Sequence, residues 1–159
     1  MNIFVTDFCP RRCAEYLDDK RVVKMVLETA QILSTAVRAH GYNGDSVYKA
    51  THVNHPVVKW VCESRDNYMW TLKHFVALCR EYTNRYGKTH KSQRLTTNFF
   101  NLAFKVPEGE LTSFANCAAN NEHGVSYKHI DDVYMAYKLY LCDRWESDKR
   151  SPTWYGKVA

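Results

Sequence analysis

Over residues 22–37 apolar side chains recur at Val22, Val23, Val26, Leu27, Ala30, Leu33 and Val37. This is the helical period, and it commits the segment to a helix with one face on a core. Asp18 or Asp19 can cap its start, and Gly41 with Gly44 closes the run. A second stripe, Tyr68, Leu72, Phe75, Val76, Cys79, Tyr82 and Tyr86, follows the capping residue type Ser64 and ends at Gly87, where a C-terminal cap belongs. Shorter helices are expected over residues 11–17, opened by Pro10, over 57–62, opened by Pro56, and over 93–104, stopping before Pro107. A last helix over residues 131–146 carries Val133, Tyr137, Tyr140 and Leu141 on one side. Residues 2–8 read as a short strand or an extended arm, and residues 107–129 as a long loop with one helical turn near Phe114. The expected fold is all-α: a single compact helical domain, residues 1–159, of about five to six helices with a long irregular loop before the last one.

A 159-residue chain that is 45% hydrophobic can bury one core, and no linker or repeat divides it. Six cysteines without an apolar leader fit reduced thiols in a cytoplasm, the host's if a phage encodes the chain. No apolar run approaches the roughly twenty residues of a membrane span, so no membrane partner is expected. A net charge of +5 and a pI near 8.9 attract polyanions, as do many basic enzymes. Eleven tyrosines and four tryptophans supply rings that pack as core or stack on a planar ligand, and composition alone does not divide them.

Lys20, Lys24, Glu28 and Gln31 share one polar stripe of the first long helix. Two like charges one turn apart repel, so the stripe reads either as a solvated face or as amines and a carboxylate converging on a phosphate or sugar. His52 and His55 precede the helix opened by Pro56, whose free N–H groups can hold an anion. Zinc on these histidines with Cys9 and Cys13 fits poorly, because the spacing is short and the pairs are far apart. On the second long helix Asn67, Trp70, His74 and Glu81 fall on a face other than the apolar stripe. Trp70 there packs on another helix or stacks on a base, and His90 with Lys91 adds a basic turn suited to phosphate. No Gly-rich phosphate loop, Gly-x-Ser-x-Gly elbow or His-Glu-x-x-His is present.

The segment Ala14-Glu15-Tyr16-Leu17-Asp18-Asp19-Lys20-Arg21-Val22 and the tail Pro152-Thr153-Trp154-Tyr155-Gly156-Lys157 resemble segments of the phage pyrimidine-dimer DNA glycosylases, also called endonuclease V. Together they span about a tenth of the chain. The runs Asp19-Lys20-Arg21-Val22-Val23-Lys24-Met25, Glu28-Thr29-Ala30-Gln31, Thr51-His52 and Asn54-His55-Pro56 are similar to a wider set of phage and bacterial relatives of that enzyme. The resemblance implies a small helical repair enzyme acting on damaged DNA, with no cofactor, no metal and no obligate protein partner. It puts the family's catalytic glutamate on Asp18 and one of its DNA-binding arginines on Arg21. The family's nucleophile is the α-amine of a small residue exposed by removal of the initiator methionine. Asn2 is bulky enough that Met1 is expected to stay, which leaves Lys20 or Lys24 as the amine, or no lyase activity.

The expected function is therefore a DNA-repair or DNA-processing glycosylase, with or without AP lyase activity, acting on a damaged or modified pyrimidine. Asp18, Lys20, Lys24 and Glu28 are the candidate catalytic residues, and Arg21, Gln31, His52, His55, Asn67, Trp70, His90 and Lys91 the candidate DNA contacts. The alternatives are a non-catalytic phage nucleic-acid or nucleotide-binding module and an enzyme acting on a free nucleotide.

Overall fold

A computed structural model describes residues 1–155 and holds six α-helices: α1 (Pro10–Tyr16), α2 (Asp19–Ala39), α3 (Pro56–Glu63), α4 (Arg65–Tyr86), α5 (Thr96–Leu102) and α6 (Val133–Ser147). One antiparallel pair of two-residue strands, β1 (Ala119–Asn120) and β2 (Val125–Ser126), pairs Ala119 with Ser126 and Asn120 with Val125. The fold is all-α, as the periodicities require. Of the tail, Gly156 and Lys157 lie outside the described residues. None of the described helices is long and apolar enough to cross a membrane.

The helix starts follow local chemistry. Pro10 and Pro56 open α1 and α3, and the Nδ1 of His55 accepts the Val57 N–H at 3.2 Å. At α4 the Ser64 hydroxyl accepts the Asn67 N–H, while the carbonyls of Pro107 and Gly109 accept those of Arg65 and Asp66. The loop after α5 thus caps α4, and it lies so close that a Cβ on Gly109 would stand 2.9 Å from Ser64 Cβ. Gly87 ends α4 in the left-handed region at φ 62°.

Four sequence expectations need correction here. Val23 and Leu27 do not join the buried face of α2; both are exposed, and Met25, Ile32 and Ala36 are buried instead. The face of α4 carrying Asn67, Trp70 and His74 is not free, because α1 and residues 111–114 cover it and all three are buried. The line that α4 does show to solvent is a different one, with Asp66, Lys73, Arg80 and Asn84. The region expected as one helix over 93–104 is α5 flanked by 3-10 turns at Lys91–Leu95 and Ala103–Lys105. The loop holds the β1–β2 hairpin in place of a helical turn at Phe114.

Residues 2–8 form an extended arm, not a strand. Ile3, Phe4 and Val5 are buried in it, and the Phe4 ring stacks on Tyr140 and meets Tyr137 edge-on. The arm thereby brings the first residue of the chain between α2 and α6.

Candidate functional site

Asn2 fixes that placement. Its Oδ1 accepts from the Tyr137 hydroxyl at 3.0 Å, its Nδ2 donates to the Cys117 carbonyl at 3.3 Å, and its main-chain N–H donates to Glu28 Oε2 at 3.1 Å. The α-amine of Met1 then stands 3.7 Å from Glu28 Oε2, and Lys24 Nζ lies 3.2 Å from Oε1. One carboxylate faces two amines, one on each oxygen.

These groups line a cleft of about 300 Å³. Its walls are Met1, Asn2 and Phe4 of the arm, Lys20, Arg21, Lys24, Met25 and Glu28 of α2, His55 at the start of α3, Cys117 and Ala119, and Tyr140 and Arg144 of α6. Because His55 Nδ1 accepts a main-chain N–H, the neutral ring carries its proton on Nε2. Burial, helped by the positive Met1 amine and His52, holds His55 below its usual range and favours that neutral form, against an opposing pull from Glu28. Burial likewise raises the Cys117 thiol.

Four of the residues expected from sequence meet here with Lys24: Lys20, Arg21, Glu28 and His55 all line the cleft. Gln31 lies one turn beyond Glu28, outside the lining. Asp18 is elsewhere. It is buried, its Oδ1 accepts from Arg21 at 2.9 Å and from the Trp145 indole at 2.8 Å, and it stands about 15 Å along α2 from Glu28. The glutamate position carried over by resemblance therefore falls on a buried carboxylate that pairs with Arg21 of α2 and accepts from Trp145 of α6. Arg21 is held by that carboxylate and by Asp148 at 2.9 Å. Burial pushes Asp148 up, but the hydrogen bonds and charges of Lys20 and Arg21 outweigh it and leave the carboxyl below the usual range.

Asn67 and Trp70 are withdrawn as DNA contacts. Asn67 donates to the Trp60 carbonyl and to Thr112 and accepts the Thr112 N–H, and the Trp70 indole donates to the Phe8 carbonyl. His52 is exposed at φ 51° with Nδ1 on the Thr51 hydroxyl. His90 caps the Lys91–Leu95 turn through Nδ1, and neither it nor the exposed Lys91 lines the cleft.

Sequence reasoning set Met1 and Asn2 aside as the source of the amine and passed over Cys117, Tyr140 and Arg144 as site residues. Arg144 left a trace, standing four residues past Tyr140 and seven past Tyr137 on the apolar side of α6. A cation extending an apolar stripe faces something other than bulk water. The arm left none, since its destination depends on α6.

Comparison with curated proteins returns no match, and comparison with solved structures returns none either. A family model described as pyrimidine dimer DNA glycosylase matches residues 1–94 of the 159. That span carries the arm, all of α2 with Lys24 and Glu28, and His55. The chain belongs to the pyrimidine dimer DNA glycosylase family.

Proposed function

We propose that the chain excises a damaged pyrimidine from DNA through an amine and then cleaves the strand as an AP lyase. The observation that carries this reading is the Met1 α-amine and the Lys24 ammonium on opposite oxygens of Glu28 within one cleft. An amine attacks the deoxyribose C1′, the glycosidic bond breaks with its electron pair going to the base nitrogen, and the amine loses its protons as an imine forms with the opened sugar. Glu28 is placed to take and return those protons. Loss of a C2′ proton and of the 3′ phosphate then breaks the strand.

The α-amine of Met1 is the favoured nucleophile. Asn2 pins the Met1 amine, whereas the Lys24 side chain is 74% exposed. This departs from the assignment of Lys20 or Lys24 made on sequence grounds; Lys20 instead holds Asp148 at 2.9 Å.

Borohydride reduction on DNA with an abasic site or a pyrimidine dimer traps the imine, and peptide mapping locates it. Trapping is expected to survive Lys24→Met and to vanish when the α-amine is blocked. A cross-link on Lys24 would reassign the nucleophile. Tight binding to damaged DNA with neither trapping nor scission would favour the non-catalytic module.

A further inference from the structure

The cations around the cleft are unequal. Arg21 is held by Asp18 and Asp148, Lys20 by Asp148, and Lys24 by Glu28. Arg144 is half-buried and, among the described residues, its guanidinium has neither an ion-pair partner nor a hydrogen bond. An unpaired, partly desolvated guanidinium is unfavourable unless something anionic reaches it. Among the described residues no carboxylate does.

Arg144 also occupies a junction. With Tyr140 it lines both the Glu28 cleft and a second hollow of about 340 Å³ between α6 and the β1–β2 hairpin. Asp143 and Glu146 line that second hollow, Asp143 accepting the Tyr127 hydroxyl at 2.7 Å. Their negative charge opposes a row of phosphates there, so the site takes one anion, at the boundary. A guanidinium fork fits two oxygens of a phosphodiester, and a DNA strand whose sugar enters the cleft carries a phosphodiester on each side of that sugar.

We infer that Arg144 clamps one backbone phosphodiester flanking the nucleotide held at Glu28, and so sets how deeply its sugar enters the cleft. The inference rests on the proposed glycosylase reading, in which that nucleotide is the substrate. Arg144 is a positioning residue: it holds the strand, while the proton transfers belong to Glu28.

The test pairs changes on both sides of the contact. Duplexes with one abasic site carry a neutral methylphosphonate at each flanking phosphate in turn, and affinity and borohydride trapping rate are measured for the wild type, Arg144→Ala and Arg144→Lys. In the wild type one methylphosphonate position is expected to weaken binding about tenfold or more, with the other positions near neutral. Arg144→Ala is expected to lose the same factor on unmodified DNA and to lose nothing further at that position. Arg144→Lys should fall between, since it keeps the charge without the fork. Losses that multiply independently at every position, or an Arg144→Ala protein that binds and traps like the wild type, overturn the clamp and leave the glycosylase reading standing. A wild type that neither binds nor traps abasic DNA overturns both. The methylphosphonate arm needs no substitution, so a poorly folding variant does not remove the test.

Discussion

The main-chain N–H of Asn2 and Oε2 of Glu28 stand 3.1 Å apart, which fastens the start of the chain to the middle of α2. The carboxylate is thus oriented from one side by the arm and from the other by Lys24. Glu28→Gln keeps a carbonyl oxygen able to accept the Asn2 N–H while removing the base. Affinity for damaged DNA is expected to stay within about threefold, and single-turnover strand scission to fall by about a hundredfold or more. An unchanged rate would exclude Glu28 from proton transfer.

His74 gives the fold an acid limit. Its Nδ1 donates to the Pro10 carbonyl at 2.9 Å and its buried Nε2 has no partner among the described residues, so burial lowers the ring to about 4. The folded value lies below the unfolded one, so the stability is fully present above about pH 6.5 and is lost as pH falls toward 4. The loss amounts to about 3 kcal/mol over that range. Urea melts of the wild type and His74→Phe at several pH values should show this slope in the wild type and its reduction in the variant. Parallel curves would contradict the assignment.

Asn67→Ala should act on stability alone. It leaves the Trp60 carbonyl and the Thr112 N–H without the partner they have in the core, at about 2–4 kcal/mol. Chemical denaturation would measure the loss, and DNA affinity at a temperature where the variant is folded should match the wild type. A selective loss of affinity would restore Asn67 as a contact.

Asp19 ties down the C-terminal segment. Its oxygens accept from Arg85, from the Thr153 hydroxyl and from the Tyr155 N–H. Removing it leaves the buried Arg85 with Glu81 as its one carboxylate, beside the Leu17 and Glu15 carbonyls, and Asp19→Ala is expected to destabilise the protein by about 3 kcal/mol. Limited proteolysis should then cut near Arg150 first; unchanged cleavage would show that the tail is held by other contacts.

The periodicity of residues 22–37 and 68–86, with Pro10, Pro56, Ser64 and Gly87, was enough to place the long helices, because these signals act within one or two turns. The burial of Asn67 and Trp70 was not legible, since it depends on α1 and on residues 111–114 reaching the same face of α4. The site divides the same way. Lys24 and Glu28 share a helix turn and could be paired from spacing alone. Met1, Asn2 and Arg144 come together through a contact between the arm and α6 that no local pattern encodes. Asp18 misleads for a related reason: its carboxylate answers Arg21 and Trp145, the latter 127 positions away.

The arm is made well before the residues that seat it. Asn2 bonds to Cys117 and Tyr137, residues 115 and 135 positions downstream. At synthesis rates of 5–20 residues per second, roughly 7 to 27 s separate the appearance of the amine from that of the tyrosine that seats it. Through that interval α2 can form with Glu28 in place while its cleft lacks two walls. On the proposed reading, the nascent chain holds its nucleophile before anything aims it, and the cleft is completed only when the α6 residues have been made.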